Sequence, residues 1–108
     1  MAKEKNFENR VKRYMETVGA WGFKFFASGF TRSGIPDLHY CLRGRYIAIE
    51  VKAQDGEASV LQLVTMDKIR KAGGFGVILF PSGFDRFKDY IEKLDNISDY
   101  THIPRVLK

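Results

Sequence analysis

The sequence predicts an α/β fold, a mixed β-sheet flanked by helices, on three observations. Apolar residues switch between the helical and the extended repeat in the order helix, three strands, helix, strand, helix. The second and third extended segments are separated only by Arg43-Gly44-Arg45, so they form an antiparallel hairpin. The nearly continuous apolar run Phe75 to Phe80 follows a helical segment. It is therefore expected as a buried strand, parallel to the strand that precedes that helix.

The elements follow in order. Phe7, Val11, Tyr14 and Val18 make one stripe of a helix from about Glu4 to Val18, which Gly19 ends. Lys3, Lys5, Arg10, Lys12 and Arg13 leave the rest of that helix basic. Trp21 to Ala27 reads as a strand with Trp21, Phe23 and Phe25 on one face, expected in the core. Ser28 to Ile35 is a loop. Asp37 to Leu42 and Tyr46 to Lys52 are the hairpin arms. Ala53 to Glu57 carries the turn pair Asp55-Gly56, and Ser59 is placed to cap a helix ending near Ala72. After Phe80, Pro81-Ser82-Gly83 breaks the chain, and a last helix carries Phe84, Phe87, Ile91 and Leu94 on one stripe. The tail from Ile97 to Lys108 is expected to be irregular.

With 108 residues, the chain reads as a single domain over 1–108. Its 18 Lys and Arg against 13 Asp and Glu leave a net charge of +5, which suits a polyanionic partner such as DNA, though it also suits simple solubility. Cys41 is the only cysteine, which rules out an intramolecular disulfide and a thiolate metal cluster. The charged N-terminus has no apolar signal core, and no run is long enough to span a membrane. A soluble, cytoplasmic protein is expected.

The chemistry gathers at one end of the hairpin. Side chains alternate across a strand, so Glu50 and Lys52 share a face, and Asp37 shares a face with His39 and Cys41. Antiparallel pairing brings the start of the first arm to the end of the second, and Asp37 comes near Glu50 and Lys52. Two converging carboxylates make a hard oxygen site suited to Mg²⁺ or Mn²⁺, and the Val51 carbonyl could complete the ligand set. By themselves these three residues read better as a solvated ion pair beside a turn.

The fuller pattern is more specific. Ser33-Gly34-Ile35-Pro36-Asp37-Leu38, then Ile49-Glu50-Val51-Lys52, then Gln62 on the following helix, resembles the PD-(D/E)xK nuclease superfamily. Within it, the likeness is to the small stand-alone form of the VRR-Nuc family, the virus-type replication-repair nucleases, over about Phe7 to Phe80. The resemblance implies a restriction-endonuclease-like core of order αβββαβ plus a C-terminal helix. It implies that Asp37 and Glu50 bind the metal and that Lys52 positions the attacking water or stabilises the transition state. Gln62 would orient the water or Lys52, and Glu8 on the first helix would be an additional metal ligand, with Glu4 and Glu16 nearby. Ala53 and Gln54 depart from the Thr- or Pro-containing stretch that often follows the lysine in the family.

The expectation is thus a Mg- or Mn-dependent DNA endonuclease, selective for structures such as a Holliday junction or flap, acting as a homodimer and of phage origin. The alternative is a non-catalytic DNA-binding module or a subunit of a larger nuclease complex. Arg10, Arg32 and Ser33 are the candidate DNA contacts, with Lys68, Arg70 and Lys71 as further basic residues able to track phosphates. His39 is expected to be a hydrogen-bonded structural residue and His102 a surface residue.

Overall fold

The computed structural model describes residues 2–26 and 34–108. Helix α1 spans Ala2–Thr17, strand β1 Trp21–Lys24, β2 Leu38–Leu42 and β3 Arg45–Val51. Helix α2 spans Val60–Lys71, β4 Phe75–Leu79, α3 Phe84–Glu92 and β5 Val106–Leu107. The five strands form one sheet in sequence order. The β1–β2 and β2–β3 pairs are antiparallel, whereas the β3–β4 and β4–β5 pairs are parallel. The α/β class and the mixed sheet are as expected.

Local sequence accounts for the joints. Arg43 and Gly44 both have positive φ, 48° and 80°, and Leu42 pairs with Arg45. This two-residue turn has the backbone hand that suits twisted antiparallel strands. Ser59 caps α2 by accepting from the Gln62 amide, and the Gln62 side chain returns the bond by accepting from the Ser59 amide. The two bonds satisfy donors that a helix start leaves open.

The main core lies between one sheet face and helices α1 and α3. Phe7, Val11 and Met15 meet Tyr40, Ile47, Ile49, Val77, Phe84 and Phe87 there. On the other face α2 sets Met66 over Ile78 and Phe80. Because α2 packs on β4 and β3, the β1–β2 half of that face carries no helix among the described residues. This corrects one expectation. Trp21 is 72% exposed and Phe23 52%, and Phe25 is half-buried. The three share a face, and among the described residues no helix covers it.

Two further boundaries differ. β1 ends at Lys24, although the Phe25 amide still bonds the Asp37 carbonyl at 2.7 Å, and Ala27 lies outside the described residues. The tail is not wholly irregular. Val106 and Leu107 pair with Ile78 and Leu79, and the Phe80 amide bonds the Leu107 carbonyl. A two-residue strand is too short to show a repeat in sequence. Leu94 is buried as expected, but it opens a separate 3-10 turn after α3 has ended.

Candidate active site

The Gly34–Asp37 segment is held from two sides. Gly34 has φ +85°, and a Cβ there would meet the Leu61 carbonyl oxygen and the Thr65 hydroxyl of α2, each at 2.9 Å. Only glycine meets both demands without strain. His39 braces the next residues. Its Nε2 lies 2.9 Å from the Pro36 carbonyl oxygen and its Nδ1 lies 2.7 Å from the Tyr46 hydroxyl. A carbonyl can only accept, so Nε2 carries the hydrogen, and Nδ1 of the neutral ring accepts from Tyr46. The histidine is structural, as the sequence suggested, and it ties the Pro36 turn to β3.

The hairpin register then delivers the acidic pair. Leu38 pairs with Ile49, so the next residues outward, Asp37 and Glu50, stand opposite each other. The Val51 amide donates to Asp37 Oδ2 at 3.3 Å. Glu50 is 5% exposed, beside Ile78 of β4. Burial pushes its carboxyl up to about 8, the Asp37 charge and a hydrogen bond with Asp37 push the same way, and Lys52 partly offsets them. Glu4 adds a smaller like-charge contribution. Lys52 Nζ lies 3.8 Å from Glu50 Oε2, a Coulombic contact too long for a hydrogen bond.

Asp37, Glu50 and Lys52 are therefore brought together at the end of the hairpin on the sheet face that carries α2, with the Val51 backbone between Glu50 and Lys52 and its side chain in the core on the other face. Glu8 is not placed with them. It is 3% exposed on α1, which packs on the opposite face, and three ammonium groups hold it: Lys24 at 2.9 Å, Lys12 at 3.1 Å and Lys5 at 3.4 Å. Burial raises the Glu8 carboxyl, but bonds from Lys24 and Lys12 outweigh it and leave it below the usual range. Gln62 stands on the first turn of α2, with its carbonyl oxygen committed to the Ser59 amide at 2.9 Å. Arg10 is exposed and lies over the Phe7 and Phe84 rings, 5.7 and 5.3 Å from their centroids, on the α1–α3 side. Arg32 and Ser33 lie outside the described residues.

Arg70 corrects a further expectation. It is 7% exposed and binds the Tyr100 carbonyl through Nε and Nη2 at 3.0 and 2.8 Å, so it anchors the tail instead of facing solvent. Lys68 is exposed, and His102 is a surface residue paired with Asp99.

Two residues near the site escaped the sequence reading. Lys24 bridges α1 to β1 through Glu8, which raises its ammonium, and the Asp37 charge adds a smaller push the same way. Its only signal was a lysine alternating with aromatics in a strand. Gln54 exchanges two 2.9 Å hydrogen bonds with Ser82, one to its hydroxyl and one from its backbone amide. They lock the loop after β3 to the turn after β4, and no local pattern announces such a pair.

The donor set fits a hard divalent cation. Two opposed carboxylates, one of them buried, repel each other unless a proton or a cation lies between them. The oxygen donors also match the preference of Mg²⁺ and Mn²⁺. Among the described residues, no group of three or more His, Cys, Asp or Glu side chains is placed to hold a metal, so protein carboxylates alone would supply only part of a coordination sphere. Mg²⁺ sites commonly keep several waters. No protein-family model, curated protein or solved structure matches the chain. Among the described residues no helix is long and apolar enough to cross a membrane.

Proposed function

We propose that this chain is a Mg²⁺- or Mn²⁺-dependent DNA endonuclease that hydrolyses phosphodiester bonds. The observation that carries the reading is the opposition of Asp37 and Glu50 at the end of the hairpin, with Lys52 beside them on the same face. Asp37 and Glu50 would hold the cation, with the Val51 carbonyl as a further oxygen donor. When bound, such a cation supplies Lewis-acid polarisation of a phosphate and a more acidic water. The Lys52 ammonium, already near the pair, orients the attacking water or offsets negative charge as it builds on the phosphate. Gln62 would act from the start of α2 through its amide nitrogen, since its oxygen is engaged in the cap. The exposed Lys3, Arg10 and Arg13 of α1 are suited to phosphate contacts.

Selectivity for junction or flap DNA, a homodimeric working unit and action of a phage protein in the host cytoplasm belong to this reading through the resemblance to VRR-Nuc proteins. The test is incubation of the chain with a four-way junction, a flap and a plain duplex in Mg²⁺, Mn²⁺ or EDTA. Metal-dependent cutting, faster on the junction or flap, is the expected result. Binding of all three without cutting in either metal would replace the nuclease with a DNA-binding module.

A further inference from the structure

The loop from Lys52 to Ser59 leads from one residue of the candidate site to the cap that holds another, Gln62. β3 ends at Val51, and the Lys52 amide still bonds the Leu79 carbonyl of β4 at 3.0 Å. Ala53 to Gly56 then forms a turn, closed by the Gly56 amide on the Ala53 carbonyl at 2.9 Å. The turn folds back on β3, so that a Cβ built on Gly56 would stand 3.7 Å from the Lys52 Cβ. Gln54 lies inside this turn. Its Oε1 accepts from the Ser82 amide and its Nε2 donates to the Ser82 hydroxyl, both at 2.9 Å.

Ser82 is a firm anchor for that amide. It belongs to the Pro81–Gly83 3-10 turn that follows β4, the parallel neighbour of β3. The Gly83 amide bonds the Phe80 carbonyl, and the Phe80 amide bonds the Leu107 carbonyl of β5, each at 2.9 Å. Gly83 is buried against that same carbonyl, with no room for a Cβ.

We propose that Gln54 is a positioning residue for Lys52. Its clamp on Ser82 holds the Ala53–Gly56 turn against the base of the Lys52 side chain and so keeps the ammonium beside Glu50. At its head, Lys52 Nζ has the 3.8 Å Coulombic contact with Glu50 Oε2, which is too long to set a direction. The four-carbon stem behind it is flexible. Where the ammonium stands therefore depends on how the backbone and the turn hold its base. Gln54 and Ser82 are both exposed, and side-chain hydrogen bonds in such positions add little to global stability. Two of them on one planar amide do more to fix the orientation of the turn than to hold the fold. The effect on Lys52 stands by itself, whereas its consequence for cleavage rests on the nuclease reading.

The test is acetylation of the lysines by an N-hydroxysuccinimide ester, located by mass spectrometry, alongside single-turnover cleavage of a four-way junction in Mg²⁺. Lys24 is the internal reference, because its side chain is 23% exposed against 18% for Lys52 and it is held by Glu8 of α1. In Gln54→Ala, Lys52 should be acetylated several-fold faster relative to Lys24, with the wild-type circular dichroism spectrum. Cleavage at saturating DNA should slow by about 10–10²-fold, the cost of a misplaced group, with affinity for the junction in EDTA unchanged. Ser82→Ala keeps the amide bond to Oε1, so it should change both readouts less, and neither further when added to Gln54→Ala. Equal acetylation of Lys52 in wild type and Gln54→Ala would overturn the proposal. So would faster acetylation with undiminished cleavage, or a Ser82→Ala effect that adds in full to that of Gln54→Ala. A wild type that cuts no DNA would remove the nuclease reading alone, and the acetylation would still decide whether Gln54 holds Lys52.

Discussion

The Val51 amide donates to Asp37 Oδ2 at 3.3 Å. This bond ties the carboxylate that opens β2 to the residue between Glu50 and Lys52. The acid of the first motif and the Glu-x-Lys pair of the second are thus joined through backbone, and the hairpin register sets their spacing.

Glu50 links that geometry to pH. Its carboxyl is raised by burial first and by Asp37 second, from an ordinary 4.5 to about 8. The folded state then holds this proton more tightly than the unfolded chain. The stability contributed by the proton is complete below 4.5 and is lost as pH rises through about 8. In EDTA, the wild-type melting temperature should fall across that window more steeply than that of Glu50→Gln. Mg²⁺ added at pH 8 should raise the wild-type value and leave Glu50→Gln unchanged. Parallel melting curves for the two proteins, with and without Mg²⁺, would refute the assignment.

Gly34→Ala tests the turn that presents Asp37. The left-handed backbone and the 2.9 Å approach to Leu61 both resist a Cβ. A loss of about 1–3 kcal/mol in urea unfolding is expected, with slower cleavage because Asp37 shifts. An unchanged denaturation midpoint would show that the turn is not constrained in this way.

Lys24→Met removes the nearest partner of buried Glu8. With Lys5 and Lys12 still present, a cost of about 1–2 kcal/mol at neutral pH is expected. The lowered Glu8 carboxyl makes its contribution above 4.5 and loses it as pH falls through the folded value. The difference between variant and wild type should therefore shrink on acidification. A difference that persists once Glu8 is protonated would point to packing of the lysine stem instead.

The two halves of the α2 capping box separate the roles of Gln62. Ser59→Ala and Gln62→Ala each remove one cap bond, and each should cost about 0.5–2 kcal/mol. If Gln62 also serves the reaction, Gln62→Ala slows cleavage well beyond Ser59→Ala at matched stability. Equal rates would leave Gln62 with the cap alone.

The parts of the site that follow local repeats were legible in the sequence. Alternation along Tyr46 to Lys52 put Glu50 and Lys52 on one face, and the short Arg43-Gly44 turn brought Asp37 opposite. What could not be read depends on contacts distant in sequence. Glu8 meets Lys24 across 16 positions, and Gln54 meets Ser82 across 28. The bareness of Trp21 depends on where α2 comes to rest, which the apolar pattern of β1 does not encode. The strand at Val106–Leu107 exists only through its bonds to β4.

The most direct measurement is single-turnover cleavage of a four-way junction in Mg²⁺ by wild type and Lys52→Ala, with DNA affinity measured in parallel in EDTA. The account predicts that the variant binds as the wild type does and cuts about 10²–10³-fold more slowly, the loss expected when one transition-state donor is removed. An equal cleavage rate in the variant would contradict the assignment of the active centre to Asp37, Glu50 and Lys52.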